Sequence, residues 1–108
     1  MKRIAFGLAL IFGLFCISSG YASEGERIFG ARGCSGCHEK TQDTVGPALS
    51  TITQKYQKDK AKLIKFFRGE APPIIWPEKF RIMEPFMNML KNMDGKDLEA
   101  LADYIFSH

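Results

Sequence analysis

Cys34-Ser35-Gly36-Cys37-His38 constrains this chain more than any other stretch, because it sets two thiols and an imidazole within five consecutive residues. A disulfide between Cys34 and Cys37 would close so small a loop that it would stabilise little. A thioredoxin-like redox pair wants a βαβ setting, and no strand-like alternation is present. A structural zinc site needs two more Cys or His ligands. Beyond this motif, residues 23–108 offer only His108, at the chain end.

The use that remains for the C-x-x-C-H spacing is attachment of a c-type haem. Each thiol adds to one vinyl group of the macrocycle, and two intervening residues let a single turn of chain reach both vinyls. The next residue, His38, then offers its imidazole to the iron. One haem c, joined through two thioethers, is the expected cofactor.

The start of the chain has the three-part layout of a secretory signal. Lys2 and Arg3 precede an almost unbroken apolar run from Ile4 to Ile17, and Ser18-Ser19-Gly20-Tyr21-Ala22 supplies a small-residue exit. The run is too short to favour a permanent membrane span. Cleavage after Ala22 is expected, giving residues 1–22 as signal and 23–108 as a single domain. An uncleaved anchor is the alternative. Lipidation at Cys16 is disfavoured, since Phe15 stands where a small residue is wanted. The export route predicts a periplasmic protein. Lys2 and Arg3 account for two of the 15 basic residues, so the formal charge of +3 falls to +1 without them. A domain so near neutrality argues against a nucleic-acid partner.

Residues 23–108 read as all-helical. Ser23 and Glu26 have capping-box spacing, which starts a helix running to about Arg32 and ending at Gly33. Ser35 to Pro47 reads as loop, and Ala48 to Tyr56 as a short helix. Asp59 caps a third helix with Leu63, Ile64 and Phe67 on one face and Gly69 at its end. Pro72, Pro73, Pro77 and Pro85 predict an ordered loop from Gly69 to Pro85 with one helical turn at most. Asp94 caps a last helix whose apolar stripe is Leu98, Leu101, Ala102 and Ile105. A domain this small buries little apolar surface by itself, and a bonded haem supplies both core volume and a crosslink.

A second axial ligand is needed. Methionine suits an electron-transfer site because its thioether favours ferrous iron, and Met83, Met87, Met89 and Met93 are available. Flexible core packing is the ordinary use of most of them. Met83 differs by sitting at the end of the proline-rich loop, and His108 is the rival.

These residues resemble class I cytochromes c, in particular the short bacterial c-552 and c-555 types, across the whole of residues 23–108. Gly25 and Phe29 ahead of the haem motif match that family's first helix. Gly46-Pro47-Ala48-Leu49 resembles its Gly-Pro-x-Leu, and Met83-Glu84-Pro85-Phe86 its Met-Pro-Pro-Phe, with Glu84 in place of the commoner proline. Leu101-Ala102-Asp103-Tyr104-Ile105 is similar to its closing helix.

The resemblance implies a small all-α class I cytochrome c fold, with N- and C-terminal helices packed together around a covalently bound haem. It implies His38 and Met83 as iron ligands, with the Pro47 carbonyl accepting a hydrogen bond from the His38 ring. It further implies Phe29 against Leu101 and Tyr104, with Gly25 permitting a close crossing. The c-555 type carries extra helical structure in the methionine loop. Trp76 is placed for a haem propionate or for plain packing, and Lys55, Lys58, Lys60, Lys62 and Lys65 for a solvated face or an acidic partner. The implied function is one-electron transport between respiratory donor and acceptor proteins, without substrate catalysis, touching membranes only by docking to their complexes. The competing reading is a haem protein with an open or displaceable sixth site, a peroxidase or a gas binder. A cytochrome c′-like bundle is disfavoured because its haem motif lies near the C-terminus.

Overall fold

A computed structural model describes the backbone from Gly20 and the side chains from Glu24, both through His108. Residues 1–19 of the expected signal lie outside these residues. Five α-helices and two 3-10 segments follow one another, and the described residues contain no strand. They are α1 (Gly20–Ala31), a 3-10 turn (Cys34–Gly36), α2 (Leu49–Tyr56), α3 (Lys60–Phe67), a 3-10 helix (Pro77–Ile82), α4 (Glu84–Lys91) and α5 (Gly95–Ile105).

The first and last helices form the main packing unit. Gly25 makes this possible: a Cβ there would overlap the Ala100 carbonyl oxygen and come within 2.6 Å of Tyr104 Cβ. With backbones this close, the Phe29 and Tyr104 rings meet at 5.4 Å between centroids, tilted by 54°. Leu98 and Leu101, from the predicted stripe of α5, are 0% and 2% exposed.

Helix ends follow the sequence signals in most places. Gly33 adopts a left-handed φ of 80° just beyond α1. The Asp59 side chain accepts from Lys62 N at 3.1 Å and starts α3. At the other end Gly69 N donates to Phe66 O and Glu70 N to Lys65 O, at 2.9 and 2.8 Å, around a φ of 73° at Gly69. That pair of bonds is a Schellman closure.

Three expectations require correction. α1 begins at Gly20, so Ser23 stands within the helix; a cap is required only where the backbone leaves helical geometry. Asp94 occupies the cap position of α5 without a side-chain cap bond. Its carbonyl instead accepts from Asp97 N and Leu98 N, both at 3.0 Å. The loop expected from Gly69 to Pro85 holds a six-residue 3-10 helix, Pro77–Ile82, and passes into α4 at Glu84. Pro85 sits in its first turn, where the missing N–H costs nothing, and Met87 and Leu90 are buried beneath it.

Candidate haem site

The chain leaves α1 at Gly33 and turns at once. Cys34 O accepts from Cys37 N at 3.3 Å and from His38 N at 3.1 Å, so one tight turn presents both thiols and the imidazole together. Burial pushes the Cys34 thiol above its ordinary range and keeps it protonated. The loop that follows is folded back on this turn. Gly46 N donates to Cys37 O at 2.8 Å and Thr44 Oγ1 to the same oxygen at 3.1 Å. Leu49 N and Ser50 N then bond to Glu39 O and Lys40 O at 2.9 and 3.1 Å.

That return brings Gly46 and Pro47 against His38. A Cβ on Gly46 would lie 2.6 Å from His38 Cε1 and 2.9 Å from Nδ1, so glycine is required by the close approach of the ring. His38 Nδ1 stands 2.7 Å from Pro47 O. A carbonyl oxygen can only accept, so Nδ1 carries the proton and Nε2 keeps its lone pair for a metal.

Cys34, Cys37, His38, Pro47 and Met83 all line one cavity, whose empty volume is about 1140 Å³ counted out to its open mouth. Its walls are apolar: Leu49, Ile52, Leu63, Phe66, Leu101 and Ile105 belong both to them and to the buried core. Apolar walls with two thiols and an imidazole among the lining residues suit a haem. Cys34 and Cys37 fit the attachment motif, and the His38 ring and the Met83 thioether both line the cavity.

The methionines divide. Met87 and Met93 are 7% exposed and packed in the core, the use expected for most of them. Met83 is half-buried against the core at the start of α4 and faces the cavity. Met89 lines it too, which its helical spacing from Met93 had hidden. His108 is not among the lining residues; its Nδ1 donates to Tyr104 O at 3.0 Å and its ring stacks edge-on to Tyr104 at 4.9 Å.

Trp76 lines the cavity with a left-handed backbone, φ 44°, immediately before Pro77. The Lys79 ammonium stands 5.0 Å from its ring centroid. Of the five clustered lysines, Lys60 is engaged by Asp103 at 3.1 Å and Glu99 at 3.4 Å, and the Asp103 bond raises its pKa. Lys55, Lys58, Lys62 and Lys65 are exposed. Sequence reasoning did not single out Asp43, whose Oδ1 accepts from Ala48 N and from Thr51 Oγ1, each at 2.8 Å.

No curated protein sequence matches this one closely enough to count as a relative. The family described as cytochrome c has a sequence model that matches residues 22–108, all but the first two residues of the described fold. A pair of thiols, an imidazole held in its metal-binding tautomer and an apolar cavity thus lie within a match of that length. The chain belongs to the cytochrome c family, binding haem c covalently and carrying electrons.

Proposed function

We propose that this protein is an exported, soluble monohaem electron carrier whose iron is held by His38 and Met83. The observation that carries this reading is the 2.7 Å bond from His38 Nδ1 to Pro47 O, with Met83 on the same cavity. Bound haem supplies a one-electron couple between ferric and ferrous iron. The chain's own residues do the rest. The two thiols would tether the group, Pro47 would fix the imidazole tautomer, and Met83 would offer the iron a neutral thioether. Leu49, Leu63, Phe66 and Leu101 would keep water from most of the macrocycle. Keeping His38 and Met83 as donors in either oxidation state would keep the reorganisation small.

Residues 1–22 act as a cleaved export signal, and the mature domain works in the periplasm between respiratory donor and acceptor proteins. No helix among the described residues is long and apolar enough to cross a membrane. The reading has no use for a substrate.

The test is the visible spectrum of the exported protein with and without carbon monoxide. A low-spin spectrum with a sulfur-to-iron charge-transfer band, indifferent to carbon monoxide and losing that band in Met83→Ala, supports the reading. The same sample's mass should correspond to a chain beginning at Ser23 plus one haem. Ready carbon monoxide binding by the ferrous wild type would show a displaceable sixth site and replace electron carriage with a ligand-binding or peroxidase role.

A further inference from the structure

The peptide unit joining Pro47 to Ala48 is held at both ends. Its oxygen accepts from His38 Nδ1 at 2.7 Å, and its N–H donates to Asp43 Oδ1 at 2.8 Å. Ala48 is 1% exposed, so water does not replace the second bond readily. Thr51 Oγ1 donates to the same carboxylate oxygen at 2.8 Å and fixes it there. The Ala48 amide first, then the Thr51 hydroxyl, hold the Asp43 carboxyl below its ordinary range, and it is ionised at neutral pH.

Carboxylate, peptide and imidazole therefore form one chain of hydrogen bonds. Such bonds polarise one another when they share a unit. A negative charge on the N–H side of an amide makes its carbonyl oxygen a stronger acceptor. A stronger acceptor draws the Nδ1 proton away from the ring and leaves Nε2 more electron-rich. For a metal-bound histidine, the partner of the other ring nitrogen sets both ring orientation and ligand basicity.

We propose that Asp43 is a positioning residue for His38, acting through the Pro47–Ala48 peptide to raise the donor strength of Nε2 and lower the reduction potential. The direction follows from charge: ferric iron carries one more positive charge than ferrous and gains more from an electron-rich donor. The inference rests on His38 as the iron ligand. It assigns to a loop carboxylate, five residues beyond that ligand, a part in setting the redox couple.

A plain structural clamp would give the same contacts, so the test must separate charge from geometry. Asp43→Asn keeps an oxygen that accepts from Ala48 and Thr51 but removes the charge. Asp43→Ala removes both, and Glu39→Gln removes an exposed carboxylate that makes no such bond. On haem-loaded protein, the readouts are reduction potential, the proton shift of His38 Nδ1–H in the ferrous state, and the unfolding midpoint. Expected in Asp43→Asn is a midpoint near wild type, a potential raised more than in Glu39→Gln, and a Nδ1 proton moved upfield. Asp43→Ala should move both readouts the same way. An unmoved Nδ1 proton in Asp43→Asn, with a potential change no larger than that of Glu39→Gln, would overturn the proposal and leave His38 ligation standing. A wild-type spectrum without nitrogen-ligated low-spin haem would overturn both.

Discussion

At Gly46 the fold allows no side chain, because the His38 ring occupies the space a Cβ would need. An alanine there must either displace the imidazole or open the turn, and both break the bond to Pro47 O. Overpacking of this kind costs about 1–3 kcal/mol. Gly46→Ala should lower the denaturant midpoint of the haem-loaded protein accordingly and weaken its low-spin spectrum, whereas Gly36→Ala, with open space around it, should alter neither measurably. Residues of this sort differ in how plainly a sequence announces them. The haem motif is contiguous, and its chemistry follows from spacing alone. Asp59 before a helix also announces its cap. Asp43 does not, since its value comes from Ala48 and Thr51, which a folded-back loop brings to it. Met89 is hidden for a related reason: the same helical spacing serves core and cavity wall.

Among the helices, the crossing of α1 and α5 carries the fold. Gly25→Ala improves intrinsic helix propensity by about 1 kcal/mol, yet it drives a methyl into the Ala100 backbone, which cannot rotate away. The net effect should be a loss of roughly 2 kcal/mol, read by denaturant titration and by weakened near-ultraviolet dichroism from Tyr104. This crossing was legible through the family resemblance, which implied Gly25 at the close approach and Phe29 against Leu101 and Tyr104; the patterning of the last helix alone marked only the stripe of Leu98, Leu101, Ala102 and Ile105. α4 was not. Four prolines between Pro72 and Pro85 argue against regular structure, and only position distinguishes Pro85, in a first helical turn, from a proline that breaks a helix. The α2 to α5 link was equally obscure: buried Thr53 Oγ1 bonds Leu49 O at 2.9 Å and Ile105 O at 3.0 Å. A lone threonine does not announce a partner 52 residues away.

In the molecule as a whole, the core and the site are made of the same residues. Leu49, Leu63, Phe66 and Leu101 each turn a buried side chain toward the cavity. Without haem, water reaches Val45, Ile74, Ile82 and Phe86, exposed apolar residues of the same cavity, and burying such a side chain contributes about 1.5–3 kcal/mol. A few such losses rival the entire stability of a small domain, about 5–15 kcal/mol. Cys34→Ala with Cys37→Ala, which prevents attachment, should therefore abolish the cooperative thermal transition seen by circular dichroism. A sharp transition in that variant would show that the helices hold without their cofactor. The main interface also joins the two extremes of the described fold, and this governs the order of events during synthesis. A chain emerging with its amino end first exposes Cys34, Cys37 and His38 long before Leu101 and Tyr104 arrive to close over α1. Contacts so distant in sequence cannot form until both partners have been synthesised. The crossing at Gly25 thus acts as a timer: until α5 has been made, α1 lacks its main partner and both thiols stay accessible for attachment.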